Sequence, residues 1–305
     1  MNLRRLRYFV RIVDAGSLSQ ASQLLHIAQP ALSQQLYILE SEFGQQLLIR
    51  SQRGVVPTES GKRLYAHAQT ILRQLENALT DVNAVTESLC GTVSIGLPPG
   101  ISAASLTIPL IKRVTQLHPS VLLHLNESLG TTLVELLASG QMDMALIYGT
   151  PREAGMRGRS LYREPLFAVA PVQQGLDPGP VSLAKLATAP LIMLRKHNQV
   201  RRYVDDAFKQ AGVTPSIVAE IESASTLAAA IRHGLGAVIL PDAAAKSVAA
   251  HGKGTLHPLV EPIEVPLTLC QSDRLTLSET ASAVSDILIG LTGEIRRGET
   301  ANLLS

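Results

Sequence analysis

The chain has 305 residues, more than one ordinary hydrophobic core accommodates, which predicts two or three domains. With 46% apolar and 17% charged residues, it is not an intrinsically disordered chain. The formal net charge is only +2, and Cys90 and Cys270 have neither zinc-site nor CxxC spacing, so a reducing compartment is expected.

Positive charge is concentrated near the N-terminus. Residues 1–75 contain nine Lys and Arg against four Asp and Glu, whereas residues 91–305 contain eighteen of each sign. A basic module on a neutral body favours a polyanionic partner, although a solvated charged face gives the same count. The sequence has neither the apolar segment of a signal peptide nor a membrane-spanning run, so we expect a cytoplasmic protein with no membrane partner.

The N-terminal segment predicts three short helices. The first ends at Gly16, and Ser17 is a predicted N-cap for a second helix that ends near Leu25. A third helix follows over about residues 28–43, with Pro30 in its first turn, where a missing N–H costs nothing. Three helices with a tight turn between the second and third predict a helix-turn-helix.

A hairpin and a long helix are predicted next. Two apolar runs flank the polar turn at residues 51–54, which predicts a β-hairpin, or wing, with Arg50 at its base and Arg53 at its tip. From Glu59 to Leu89, apolar residues recur at alternating intervals of four and three, which predicts a long helix with a coiled-coil seam. The seam residues are Leu64, Ala68, Ile71, Leu75, Ala78, Val82, Val85 and Leu89. We therefore expect at least a dimer, although a helix packed on its own domain is the alternative.

Beyond Gly91, short apolar strands alternate with helices. This alternation predicts an α/β architecture with mostly parallel strands. Predicted strands lie near residues 92–97, 121–126, 143–148, 166–170, 190–194, 216–221, 236–240 and 265–270, and predicted helices near 104–117, 130–139, 182–187, 199–211, 225–234 and 278–295.

The predicted third helix has an uncharged polar face. Gln29, Ser33, Gln34 and Tyr37 share this face, while leucines occupy the opposite one. A Gln side chain matches the N6/N7 edge of adenine, Ser contacts several edges or a phosphate, and Pro30 offers apolar contact to a thymine methyl. The face therefore predicts readout of bases in the major groove, with a merely solvated helix face as the alternative.

Other residues are candidate contacts to the DNA backbone. Arg50 and Arg53 are predicted to contact phosphate or the minor groove, where they add affinity with little sequence information. Arg4 and Ser17 are further backbone candidates, because a helix N-terminus can hold a phosphate.

The motifs along the whole chain resemble those of LysR-type transcriptional regulators. The resemblance rests on "LRYFVRIVDAGSLSQASQLLHIAQPALSQQLYILESEFGQQLLIR" (6–50), "VPTESG" (56–61), "GQMDMALIY" (140–148) and "IRHGLGAVILP" (231–241). Relatives frequently have an arginine where this chain has Gln34. "RRLRYFV", "HIAQPALSQQL" and "QQLLIR" are similar more narrowly to members of the family that control nitrogen assimilation, which implies a role in nitrogen metabolism.

The resemblance implies an α/β multidomain protein. It has an N-terminal winged helix-turn-helix, a long linker helix, and a C-terminal two-lobed α/β effector domain that is periplasmic-binding-protein-like. The expected domains are residues 1–58, 59–90 and 91–305, with lobe I at about 91–161 and 266–305, lobe II at about 162–265, and crossover strands near 161–166 and 260–266. The resemblance also implies a homotetramer built from linker-helix dimers that bind interrupted palindromic promoter sites. Expected partners are double-stranded DNA, the chain itself and, as further candidates, RNA polymerase and a small-molecule effector.

An effector would bind at the C-terminal ends of strands, near helix N-termini. The candidate residues are Gly100, Ile101, Ser102, Glu127, Ser128, Tyr148, His197, Asn198, Ser223 and Ser225. Many relatives have hydroxyl residues directly after the first strand of this domain, whereas this chain has Pro98 and Pro99, which weakens the expectation of a small anionic effector. Control by protein amount or by a partner is the rival, and both activation and repression fit the sequence.

Catalysis has no support in the sequence. GxSxG, HExxH and phosphate-loop motifs are absent, and the eight histidines have no metal-ligand spacing. We therefore expect no catalytic residue, no metal and no cofactor. The main alternative is a solute-binding protein without DNA function, which would explain residues 91–305 but predicts a signal peptide. An architectural nucleic-acid-binding protein, the other alternative, would not need a two-lobed domain.

Overall fold

The computed structural model describes residues 2–51, 54–84, 88–98, 106–128, 130–151 and 155–296. The chain divides into two compact units, one formed mainly by residues 1–86 and the other mainly by residues 87–305. The finer division at residues 58/59 and 90/91 stays a prediction.

The first unit contains the predicted helix-turn-helix and hairpin. Its elements are α1 (Leu3–Ala15), α2 (Leu18–Leu24), α3 (Gln29–Phe43), β1 (Leu48–Ser51), β2 (Gly54–Pro57) and α4 (Glu59–Ala84). Gly16 and Gly44 end α1 and α3 in the left-handed conformation that glycine adopts without steric cost, and the Ser17 hydroxyl caps α2. The turn from α2 to α3 passes through His26, whose φ of 53° is uncommon for a residue with a Cβ.

One apolar core holds these helices together. Leu6, Phe9 and Ile12 of α1 are buried against Leu32 and Leu39 of α3. Burial of a leucine stabilises the folded state by about 1.5–3 kcal/mol. Because this set fixes the rotation of α3 about its axis, it also determines which face of α3 remains exposed.

The linker helix α4 changes environment along its length. Ala68 is fully buried, and Leu64 and Ile71 pack partly against the core of the first unit. Further along the predicted seam, Ala78 and Val82 are exposed. The proximal half of the seam therefore packs within its own chain, and the distal half has an apolar face that the described residues leave uncovered.

The predicted C-terminal end of this helix was wrong. Leu89 lies in irregular chain before the next strand, and Val85 lies outside the described residues. The described helix ends at Ala84, although the apolar periodicity of the seam continues to Leu89. A spacing pattern alone does not mark that transition.

The second unit has the predicted α/β architecture. Its elements are β3 (Gly91–Leu97), α5 (Ile108–Leu117), β4 (Val121–Glu127), α6 (Gly130–Ala138), β5 (Met144–Tyr148), β6 (Met156–Ala170), α7 (Leu183–Ala187), β7 (Pro190–Met193), α8 (Gln199–Gln210), β8 (Ser216–Glu220), α9 (Ala224–Arg232), β9 (Val238–Pro241), α10 (Asp242–Gly252), β10 (Thr255–Pro258), β11 (Glu264–Ser272) and α11 (Glu279–Arg296). The elements α10 and β10 were not predicted from the sequence.

The strands form two lobes that share β6. Over Met156–Pro165 this strand pairs with β11, and over Leu166–Val169 it pairs with β9, so it crosses from one lobe to the other where the crossover was expected. The chain returns between β10 and β11. The prediction of mostly parallel strands holds for β3 with β4 and β5 and for β7 with β8, but it is wrong for β6 and β11. These crossover strands pair antiparallel because the chain leaves and re-enters each lobe along them.

The start of α4 makes a close contact with the wing. The Thr58 N–H donates to the Leu47 carbonyl oxygen at 2.9 Å, and the Thr58 hydroxyl accepts from the Gly61 N–H at 3.0 Å. A Cβ at Gly61 would lie 2.0 Å from the Leu47 carbonyl oxygen, far inside van der Waals contact. The helix therefore approaches the wing backbone at a distance that only glycine permits.

We predict that Gly61→Ala displaces the wing and lowers its opening free energy by about 1–3 kcal/mol, the usual cost of overpacking. Hydrogen–deuterium exchange of residues 46–58 in the full-length protein measures this effect. Gly290→Ala in α11 is the matched control, because nothing lies within 4 Å of a Cβ at that helical position. Unchanged wing exchange in Gly61→Ala would contradict the prediction.

Candidate nucleic-acid interface and effector cleft

The exposed face of α3 contains the predicted base-reading residues. Leu32, Leu36 and Leu39 are buried, which leaves the opposite side of the helix in solvent. Gln29, Pro30, Gln34 and Tyr37 are exposed, Tyr37 by 69%, and Ser33 is half-buried. The structure thus brings all five predicted readers to one helix.

The N-terminus of α3 has no side-chain cap. Ala28 is at the N-cap position, where it cannot accept a hydrogen bond through its side chain, and Pro30 follows in the first turn. The first backbone N–H groups of a helix lack intrahelical partners, and they favour negative charge. This end of α3 therefore offers N–H donors beside the readers.

Two of the readers form hydrogen bonds to other elements. The Ser19 hydroxyl of α2 donates to Gln29 Oε1 at 3.2 Å. The Arg50 guanidinium donates to Ser33 Oγ at 3.1 Å, so the base of the wing contacts α3. Arg53, the predicted wing-tip contact, lies outside the described residues.

The remaining backbone candidates lie on α1 and α2. Arg4 is exposed on α1, with its guanidinium 5.5 Å from the centroid of the Tyr8 ring. Ser17 is half-buried, and its hydroxyl accepts from the Gln20 N–H at 3.4 Å as the N-cap of α2. Ser17 thus has a structural role in capping α2 alongside the predicted phosphate contact.

Sequence reasoning missed Glu40, which links α3 to the wing. Its Oε1 accepts hydrogen bonds from the Leu47 N–H at 2.8 Å and the Leu48 N–H at 3.2 Å. These two N–H groups begin the wing, and a half-buried carboxylate satisfies both of them. The sequence contains no local signal for this pairing, because the partners are seven and eight residues apart across a turn.

A cleft of about 190 Å³ lies within the second unit. Its lining includes three of the predicted effector residues, Tyr148, His197 and Asn198. Its other lining residues are Pro98, Gly130, Thr131, Val134, Ile147, Pro151, Leu194, Arg195, Gln199, Val200, Glu222, Ala224, Leu227, Leu240, Pro241, Ala244 and Val248.

The other predicted effector residues do not line this cleft. Glu127, Ser128, Ser223 and Ser225 are described but are not part of its wall, although Glu222 and Ala224 are. Gly100, Ile101 and Ser102 lie outside the described residues. Ser223 and Ser225 lie one position from the lining residue Ala224, and Ser128 and Glu127 lie two and three positions from Gly130.

Helix N-termini from both lobes converge on the cleft. Gly130 begins α6 in one lobe, while Gln199 and Ala224 begin α8 and α9 in the other. Ala244 lies in the first turn of α10, the helix that the sequence analysis missed. Because each helix start offers N–H donors, the wall combines apolar side chains with backbone donors.

A buried carboxylate lies beside the cleft. Glu164 is on β6, where the Tyr148 hydroxyl donates to its Oε2 at 2.9 Å and the Ala243 N–H donates to its Oε1 at 3.0 Å. Burial raises the pKa of the Glu164 carboxyl, although both hydrogen bonds act in the opposite direction. Burial, and then the nearby Glu164 charge, raise the pKa of the Tyr148 hydroxyl. Glu164 therefore joins a strand end of one lobe to a helix start of the other.

Among the residues that the structure describes, no group of three or more His, Cys, Asp or Glu side chains could hold a metal ion. No helix in the same part of the chain has the length and hydropathy needed to cross a bilayer.

Comparisons with known proteins agree with both units. Residues 3–62 match the bacterial regulatory helix-turn-helix protein model of the lysR family, and residues 86–291 match the LysR substrate binding domain. The nitrogen assimilation regulatory protein Nac of Klebsiella aerogenes is 47% identical over 292 residues, 95% of each chain. Its counterpart in Escherichia coli strain K12 is 43% identical, again over 95% of each chain.

A solved structure shows the same fold. Full-length CbnR complexed with its target DNA has a TM-score of 0.72 and 22% sequence identity, covering 95% of this chain and 100% of that one. The family matches and the two relatives do not favour a solute-binding protein without DNA function. The chain belongs to the LysR family and is a DNA-binding transcriptional regulator, not an enzyme.

Proposed function

We propose that this regulator reads base edges in the major groove with Gln29, Pro30, Ser33, Gln34 and Tyr37 of α3. The observation that carries the proposal is the exposed, uncharged polar face opposite the buried leucines of that helix. Recognition helices of this motif present their N-terminal residues to the bases, and all five readers lie in the first nine residues of α3. Arg50 and Arg53 of the wing, with Arg4 and Ser17, contact the DNA backbone or the minor groove.

We predict different effects for Gln29→Ala and Arg50→Ala. Gln29→Ala relaxes base preference at one position of each half-site by about 1–3 kcal/mol, since a base contact is lost. Arg50→Ala weakens binding to every sequence and lowers the slope of log K against log salt by about one, because a phosphate contact is lost. Binding titrations on several operators at two salt concentrations separate the two effects. Equal effects from both changes would contradict the assignment of roles.

We also propose that the protein binds interrupted palindromic sites as a dimer or larger homo-oligomer joined through α4. Leu79 and Val82 lie one turn apart on this helix, and they are 59% and 71% exposed in the single chain. An exposed apolar stripe at this spacing fits a second copy of the same helix. A two-fold dimer presents two copies of α3 to two half-sites.

We predict that Val82→Glu weakens self-association by at least about 100-fold, since each chain loses about 1.5–3 kcal/mol of apolar burial. Sedimentation equilibrium of the full-length protein measures the change. Glu76→Ala is the control, because Glu76 is exposed on the same helix outside the seam. If Val82→Glu associates as tightly as the control, the seam is not the interface.

We further propose that a small molecule binds the cleft and regulates the protein. The cleft's apolar wall and its few polar groups, among them Arg195, Asn198 and Glu222, are typical of a ligand site. Since the protein binds promoters, RNA polymerase is a further proposed partner. The two Nac relatives support target genes in nitrogen metabolism. A genome-wide map of bound sites in nitrogen-starved cells tests that assignment.

We predict that at least one of a panel of amino acids, urea and nitrate raises the melting temperature of the wild-type protein, by mass action on the folded state. Ala224→Trp, which fills the cleft, abolishes the shift. Ala250→Trp preserves it, because Ala250 is an exposed position of α10 outside the lining. Equal shifts in both variants would place the ligand elsewhere, and no shift in any protein would favour control by protein amount.

A further inference from the structure

The hydrogen-bonding direction of the α3 face is set by residues outside α3. Gln29 Oε1 accepts from the Ser19 hydroxyl of α2, and Ser33 Oγ accepts from the Arg50 guanidinium of β1. Both readers thus use an acceptor within the protein. Each side chain can contact a base through the hydrogen-bonding groups that these two bonds do not use.

Gln29 has one oxygen acceptor and one NH2 group with two donors. Its oxygen accepts from Ser19, whereas both N–H donors of its NH2 group remain available to a base. Gln recognises adenine in two-point fashion only when oxygen and nitrogen both face the base edge. The observed orientation favours Gln29 as a donor instead.

Ser33, like Gln29, retains a hydrogen-bond donor for the DNA. Its oxygen accepts from a guanidinium that can only donate, so the serine hydroxyl hydrogen is available to an acceptor on the DNA. Two neighbouring turns of α3 therefore present donors on the face that is proposed to read bases.

Ser19 is well placed to impose this direction. The side chains of Leu18 and Ala21, on either side of it in α2, are buried in the core. The Ser22 hydroxyl donates to the Ser19 carbonyl oxygen at 2.8 Å, which adds a tie within the first turns of the helix. The backbone of Ser19 is therefore fixed by the packing of its neighbours in α2.

We propose that Ser19 is a positioning residue that acts through Gln29 to make α3 select bases with acceptor edges and reject cytosine. In the major groove, guanine offers N7 and O6, thymine offers O4 and adenine offers N7, whereas cytosine offers the N4 amino donor. A donor aimed at cytosine meets another donor. This inference rests on the proposed role of α3 in reading bases.

The test is selection of bound duplexes from a random DNA library by the full-length protein. The position that Gln29 reads is the one whose preference disappears in Gln29→Ala. At that position the wild-type protein disfavours cytosine by about tenfold or more, as expected for a good base contact. Ser19→Ala reduces this discrimination by about tenfold and raises the share of adenine, because the amide is free to turn over.

Two variants control for other roles of Ser19. Ser19→Thr keeps the hydroxyl and retains the wild-type base profile. Ser41→Ala removes an exposed hydroxyl from the far end of α3 and also leaves the profile unchanged. In Ser19→Ala and in both control variants, the salt dependence of binding to non-specific DNA stays as in the wild-type protein.

Two outcomes would overturn the inference. The first is a Ser19→Ala profile identical to that of the wild-type protein. The second is uniform weakening on every sequence with a reduced salt slope, which would make Ser19 a phosphate contact. Either result leaves a wild-type motif in place and so leaves the role of α3 intact. A wild-type selection without any motif, in contrast, would overturn the proposed function itself.

Discussion

The backbone of Leu47 is the junction on which the DNA-binding half of the structure depends. Its N–H donates to the Glu40 carboxylate of α3, and its carbonyl oxygen accepts from Thr58 at the start of α4. The absence of a Cβ at Gly61 lets α4 approach that carbonyl closely. The backbone of one residue therefore couples α3, the wing and the linker helix. The side chain of Leu47 is also buried in the core, which fixes the base of the wing relative to α3.

A similar coupling occurs in the effector domain, where the side chain of a buried glutamate accepts the connecting hydrogen bonds. Glu164 lies on the strand that crosses between the lobes, and it accepts from Tyr148 in one lobe and from the α10 N-terminus in the other. Tyr148 also lines the cleft. Removing one partner would leave a buried carboxylate poorly satisfied, which is costly in a low-dielectric interior. The two lobes are thus joined by a polar contact at the edge of the cavity they enclose.

Local signals predicted much of this arrangement. The Ser17 cap, the glycine ends of α1 and α3 and the leucine spacing of α3 each involve neighbouring residues, so the sequence contains their physical cause. Glu40 and Glu164 could not be identified in this way, because their partners come from distant parts of the chain. The helix α10 was missed although its run of alanines after Pro241 has high helix propensity, since it lacks the apolar periodicity used to find helices. Of the predicted effector residues that the structure describes, Tyr148, His197 and Asn198 line the cleft. Glu127, Ser128, Ser223 and Ser225 lie one to three positions from a lining residue, because the sequence does not give the register of the strand ends.

Within the DNA-binding module, charged and uncharged polar side chains lie on different elements. The proposed readers on α3 are uncharged, and arginines lie on the wing and on α1, so in this proposal affinity and base preference come from different side chains. An uncharged reader discriminates between bases only through the direction of its hydrogen bonds and its shape, since it has no net charge to attract every acceptor. Direction in turn depends on whatever holds the amide or hydroxyl in place. For Gln29 and Ser33 those holders are Ser19 and Arg50, residues that need not touch a base. The base preference of such a face is therefore a property of three elements packed together, and not of the recognition helix alone.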